Sequence, residues 1–234
     1  MHFEFSSDDD FCNFIRFPRG YPRGHPVDGS VQMPRINRVQ MDIVLDQLVA
    51  FDDRGRASDP SKSGIHFYRH DRKFEPFVRN PLRWVEKLMN YAVVLTPDIS
   101  ITDDMPDWMR LERTCHSRAA GVVLQSRGIV VVPSLRWRSI DDLSFVTAGI
   151  EQNSTIAMSN YGARRSVQEK MLFRVGAERV LQILKPRTLL LFGSLDIELE
   201  EVFAKVPELH VYESPTVKEG QGANHAAALS SVLF

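Results

Sequence analysis

Beyond residue 41 the chain alternates between short, unbroken apolar runs and longer stretches whose apolar residues recur at helical spacing. The runs Ile65 to Tyr68, Ala92 to Thr96, Ile129 to Pro133, Thr155 to Ser159, Leu189 to Phe192 and Leu209 to Tyr212 predict buried strands. Their apolar residues are successive rather than alternating, as in strands covered on both faces. Ile43 to Phe51 is a further candidate, because Asp52-Asp53-Arg54-Gly55 behind it is a turn signal. Between the runs lie predicted helices over Pro81 to Met89, Trp108 to Gln125, Ile140 to Thr147, Val167 to Leu184 and Ile197 to Ala204. Leu82, Val85, Leu88 and Met89 share a face of the first. Val167, Met171, Val175, Val180, Ile183 and Leu184 largely share a face of the fourth.

Strand, helix and strand in repetition call for parallel pairing with right-handed crossovers. The expected fold is α/β, a parallel (β/α) barrel-like body, with an open doubly wound sheet as the alternative. The count of about seven strands is one short of a standard barrel. No Gly-x-Gly-x-x-Gly follows any strand, which weighs against the open sheet.

The ends read differently. Asp8-Asp9-Asp10 gives way to a stretch of Arg, Pro and Gly from Arg16 to Pro26, and prolines deny backbone donors. Residues 1–40 are therefore expected as an irregular arm, with Phe11, Phe14, Phe17 and Tyr21 available to pin it to the surface. Residues 41–213 are expected to form a single α/β domain, and 214–234 a C-terminal tail.

At 234 residues and 43% hydrophobic content the chain can bury one sizeable core. Its 29 basic and 30 acidic residues leave a net charge of -1, so no global field draws it to nucleic acid or anionic lipid. The apolar runs fall far short of the roughly 20 residues that cross a bilayer. An acidic start lacks the pattern of a signal peptide, and Cys12 and Cys115 lie far apart, which suits a reducing compartment. A cytoplasmic location without membrane contact is expected.

In parallel α/β folds the residues just after each strand surround a common crevice. Here those positions carry Arg69, His70 and Asp71; Asp98 and Ser100; Ser134, Arg136 and Trp137; Asn160 and Tyr161; Gly193 and Ser194; and Glu213. Asp98, Asp71 and Glu213 are the candidates for chemistry, since a carboxylate after a buried strand can act as a base or hold a cation. Arg136, Trp137, Asn160 and Ser100 are the candidates for holding a substrate. The competing account is helix capping, which explains Asp98, Ser100, Ser139 and Ser194 without any function but not His, Arg or Trp. His66 reads as a core histidine with a backbone partner, and His70-Asp71 as exposed turn residues. Cys115 and His116 lack a second ligand at helical spacing, so no metal site is expected, and the cofactor stays unknown on the sequence. Gly193-Ser194-Leu195 lacks the second glycine of a serine-hydrolase elbow. The arm and Arg164-Arg165 form local basic patches of a kind that can meet single-stranded nucleic acid, although Asp8 to Asp10 adjoin them.

The succession from Ile65 to Glu75, then Leu95 to Ser100, Ser117-Arg118, Gln125 and Gly128 to Trp137 resembles a family known as domain of unknown function 4417. Gly149-Ile150, Ser159 to Gly162, Lys185-Pro186 and Leu190 to Gly193 extend the similarity. The family occurs in phages, plasmids and integrated elements of Gram-positive bacteria. It often has two aspartates where this chain has His70-Asp71, and Tyr-Gly where it has Phe192-Gly193. The resemblance implies a mobile-element setting and a fold, and no reaction. Whether the protein is an enzyme at all stays open on the sequence, as does its oligomeric state. The leading expectation is a hydrolase acting on a nucleotide, glycoside or phosphoester. The alternatives are a module that binds a host protein and an accessory factor that handles nucleic acid.

Overall fold

A computed structural model of the chain describes residues 17–39, 44–163 and 165–213. Their framework is a set of short parallel strands separated by helices. A 4-stranded sheet pairs β3 (Gln47–Ala50), β4 (Ser63–His66), β5 (Val93–Leu95) and β6 (Val131–Val132) in chain order. A second 4-stranded sheet pairs β7 (Ser134–Leu135), β8 (Thr155–Ser159), β9 (Thr188–Phe192) and β10 (Glu208–Tyr212), again in chain order. Every one of these pairings is parallel. Neither sheet reverses its order, and such a reversal is what defines a doubly wound sheet.

The run read as one strand ending at Pro133 is two. Val131–Val132 pairs with β5, and Ser134–Leu135 pairs with β8. Proline has no N–H for the ladder, so pairing changes sides there. Its carbonyl accepts from Ala157 N at 2.9 Å, and Ser134 N donates to Thr96 Oγ1 at 2.9 Å.

The apolar runs are continuous because both faces of the sheets are covered. Val49, Ile65, Val94 and Val131 face one cluster with Phe67, Phe74, Phe77 and Leu124. Their neighbours Leu48, Val93, Leu95 and Val132 face another, which draws Ala157, Leu190, Phe192 and Tyr212 from the second sheet. Each side chain of this size stabilises the fold by about 1.5–3 kcal/mol when fully buried.

The helices are α1 (Glu75–Arg79), α2 (Val85–Leu88), α3 (Asp107–Gln125), α4 (Leu143–Val146), α5 (Val167–Leu184) and α6 (Ile197–Phe203). Ser166 caps α5 by accepting from Glu169 N, and Lys185 closes it in the left-handed conformation. The buried stripe of α5 is Phe173, Ala177, Val180, Leu181 and Leu184, whereas Val167, Met171 and Ile183 are exposed. The expected face was therefore rotated. Gly176 and Ala177 let Trp137 pack closely against the inner stripe, and at Gly176 a Cβ would lie 2.1 Å from Trp137 Nε1. The predicted helix over Pro81 to Met89 is a 3-10 turn, Pro81–Trp84, followed by α2, and Met89 faces solvent.

Within the stretch expected to be irregular, β1 (Val27–Asp28) and β2 (Met33–Pro34) pair antiparallel, and Met33 and Ile36 are buried. Phe17 packs against Tyr21 and His116. Residues 1–16, with Phe11 and Phe14, and the tail from Ser214 lie outside the described residues. Among the described residues no helix is long and apolar enough to cross a membrane.

Candidate functional site

The site forms where β5 and β7 end. Leu95 is in register with Val132, so the segments leaving β5 and β7 run out side by side. Asp98, three residues past Leu95, meets Arg136, the first residue past β7. Arg136 Nη1 donates to Asp98 Oδ2 at 2.5 Å. The pair is lopsided: Asp98 is 7% exposed and the Arg136 side chain 42%. Burial pushes the Asp98 carboxyl above the ordinary aspartate range, the Arg136 charge and hydrogen bond oppose it, and the Asp71 charge adds to the rise. Asp98 in turn raises Arg136.

Beneath the pair lies an aromatic floor. Tyr68 Oη and Ser134 Oγ share a hydrogen bond of 3.0 Å, and burial followed by the charge of Asp98 lifts the phenol far above its usual range. The His66 ring lies 4.3 Å from Phe192 and its Nδ1 accepts from Tyr68 N at 3.1 Å, which places the proton of the neutral ring on Nε2. Desolvation first, and then the Arg69 charge, lower His66 to about 3.

Above Asp98 and Arg136 opens a groove of about 670 Å³, walled by Tyr68, Ser100, Arg138, Tyr161, Arg165 and Glu169. A notch of about 70 Å³ beside it is bounded by Trp137, Tyr161 and Phe173 and shares Asp98 and Arg136. Arg138 is held by Asp103 and lies 3.6 Å from Glu169. Carboxylates and guanidinium groups thus alternate along the wall, with Tyr161 exposed at the lip.

Of the residues singled out after the strands, Arg69, His70, Asp98, Ser100, Arg136 and Tyr161 share this groove. Asp71 stands one hydrogen bond behind it, accepting from Ser100 N at 3.1 Å, Ser100 Oγ at 2.8 Å and Arg113 Nη1 at 3.1 Å. Asp71 instead lines a separate groove of about 980 Å³ together with Phe17, α1 and α3. Trp137 turns its ring inward to stack on Phe173 at 5.4 Å, and Nε1 donates to Leu172 O. Asn160 is spent on the backbone: Nδ2 donates to Ser194 O at 2.6 Å and Oδ1 accepts from Ser194 N at 3.2 Å. That clamp needs Gly193, whose φ is 142° and whose Cβ would meet Asn160 Oδ1 at 1.8 Å. Glu213 is exposed past β10, away from the groove lining. His70 is exposed and its Nδ1 accepts from Arg72 N. Asp98 is not a helix cap, since the next helix, α3, begins at Asp107. Among the described residues no three His, Cys, Asp or Glu side chains gather as a metal site.

The groove residues not anticipated are Tyr68, Arg138 and Glu169, whereas Tyr161 was already among the strand-end residues and Arg165 in a basic patch. Tyr68 lies two residues past β4 and Arg138 two beyond Arg136, so the rule that found Asp98 extends to them. Glu169 lies in the first turn of α5, at the same end of the sheet.

These features define a mixed α/β protein with parallel sheets and a polar groove at the strand carboxyl ends. The chain belongs to the family described as Domain of unknown function (DUF4417), whose profile matches residues 25–213. It is 35% identical over 146 residues to the Gene 1 protein of Mycobacterium phage D29, covering 61% of this chain and 54% of that protein. It is 34% identical over 142 residues to the Gene 1 protein of Mycobacterium phage L5, covering 59% and 62% respectively. The chain thus spans less than two thirds of either phage protein. No solved structure matches it. The family resemblance read from the sequence holds, and the relatives it matches are phage proteins.

Proposed function

We propose that the groove is the reaction site of a small-molecule hydrolase, with Asp98 as the proton-transferring group and Arg136 as the reader of an anionic substrate such as a nucleotide or another phosphoester. The observation that carries this reading is the lopsided pair: a buried carboxyl at the floor, joined to a half-exposed arginine that lines the groove. A carboxyl raised by burial holds a proton more readily than an ordinary aspartate, as a proton-transferring group must. A guanidinium already fixed on one side presents a preset fork to phosphate or carboxylate oxygens. We further propose that residues 41–213 form one domain and that its strands curve into a barrel-like body. Support comes from the interior cluster shared by both sheets and from Tyr212 Oη, which donates to Leu45 O at 3.3 Å between the last strand and the approach to the first.

The test is release of p-nitrophenol from p-nitrophenyl phosphate, bis-p-nitrophenyl phosphate and p-nitrophenyl glycosides, followed for the wild type and Asp98→Asn. Turnover of a phosphate ester, reduced about 100-fold or more in folded Asp98→Asn, is the expected result. Turnover unchanged in that variant, or none on any of these substrates, contradicts the reading.

One further observation favours a second reading, a module that binds a host protein. Trp108, Val167 and Ile197 are exposed in the first turns of α3, α5 and α6, and Met171 in the second turn of α5. Apolar side chains in such positions suit a protein partner. Saturable binding of one host protein that Val167→Glu with Ile197→Glu abolishes would support it.

A further inference from the structure

Arg118 is the largest of the fully buried side chains among the described residues, at 1% exposure. It sits on the inner face of α3, where Ser117 to Leu124 are all buried. Its Nη1 donates to Ser134 O at 3.2 Å and its Nη2 to Val146 O at 2.7 Å. Its Nε is buried and has no partner. Among the described residues Arg118 forms no ion pair with a carboxylate, so two carbonyl dipoles are the charge's only compensation. Desolvation lowers Arg118 to about 10, which still leaves it charged at neutral pH. Buried charges are ordinarily paired, because desolvating an unpaired ion costs several kcal/mol.

Arg118 borders a small cavity of about 20 Å³ that also touches Arg113, Arg136, Asp98, Ser117 and Ser134. A space of this size holds one particle about as large as a water molecule. The charges on its wall do not cancel. Asp98 is matched by Arg136 and Asp71 by Arg113, so the Arg118 charge is in excess. The hydroxyls do not change this balance: Ser117 Oγ donates to Pro97 O at 2.6 Å, Thr114 Oγ1 to Arg110 O at 3.0 Å, and Ser134 Oγ is engaged with Tyr68 Oη. Three arginines and one aspartate therefore line the wall, which carries net positive charge, and a neutral water would leave that charge uncompensated.

We propose that this cavity is a binding site for one halide-sized monovalent anion, with chloride the ordinary occupant. The anion accepts hydrogen bonds from Arg118 and its guanidinium neighbours and neutralises the buried excess charge. It lies directly under Asp98, so its occupancy adds negative charge beside the groove floor and makes the groove sensitive to chloride. The site stands whether or not the groove performs a reaction.

Two measurements on the wild-type protein decide it without relying on a variant that fails to fold. Crystals grown in sodium bromide, with data collected at the bromine edge, are expected to show one anomalous peak within about 3.5 Å of Arg118 Nε, a hydrogen-bond distance stretched for the larger ion. The melting midpoint in 200 mM sodium chloride should exceed that in 200 mM sodium gluconate by about 3 °C, because a ligand that binds only the folded state stabilises it. Arg118→Met, where it folds, should melt at the same temperature in both salts. A water-sized peak without anomalous signal, or equal midpoints for the wild type, would overturn the proposal.

Discussion

His66 is closed in between Tyr68 and Phe192, with Arg69 the charged group acting on it, and both burial and that charge favour the neutral ring. Its folded value of about 3 lies below the 6.5 of the unfolded chain, so below pH 6.5 the unfolded state binds more protons. The stabilisation is complete above pH 6.5 and is lost as pH falls from there toward 3. Between pH 7.5 and pH 5 this one group should cost the wild type about 2 kcal/mol. Urea unfolding at both values checks it. His66→Gln keeps an acceptor for Tyr68 N and should show a loss smaller by that amount. The clamp at Gly193 gives a second prediction at this scale. Gly193→Ala forces a side chain into a glycine-favouring conformation and against Asn160, and should lower unfolding free energy by about 3 kcal/mol in the same assay.

The segment leaving β7 is fixed by one buried acid. Asp142 accepts from Arg138 N at 2.8 Å, Ser139 N at 2.9 Å and Arg110 Nε at 2.9 Å, which ties the segment carrying Arg136 and Arg138 to α3. Asp142→Ala orphans two amides and the Nε of Arg110, and should destabilise by about 3 kcal/mol in denaturant unfolding. Strand positions were legible in the sequence because both sheet faces are buried and the runs are unbroken. The limits of α5 were legible too, since the helical spacing of its apolar residues runs from Val167 to Leu184 as observed. Its inner stripe was not, since Val167 and Met171 are as apolar as the residues that face the core and only packing against Trp137 distinguishes them. Asp98 and Arg136 could be singled out as strand-end residues. Their pairing could not, because it joins residues 38 apart and depends on sheet register. Asn160 and Trp137 occupy equivalent sequence positions, but their polar atoms are consumed by Ser194 and Leu172.

At the scale of the whole molecule, the reading of one barrel-like body turns on how the first and last parallel strands approach each other. Tyr212 Oη reaches Leu45 O there, and burial places its phenol above the usual range. Tyr212→Phe removes one net hydrogen bond and should cost about 1 kcal/mol. Amide exchange should quicken most at residues 45–50 and 208–212, where the bond joins the two ends. Uniform acceleration, or none, would speak against closure at this seam.

The account rests on a carboxyl buried against Arg136 at the floor of the groove, and carbon-13 NMR of the Asp98 side-chain carboxyl during a pH titration reads that directly. The predicted midpoint lies above the ordinary aspartate range and rises further in Arg136→Gln, because the opposing charge is gone. A midpoint at or below the ordinary range, or one that Arg136→Gln leaves unmoved, would contradict it.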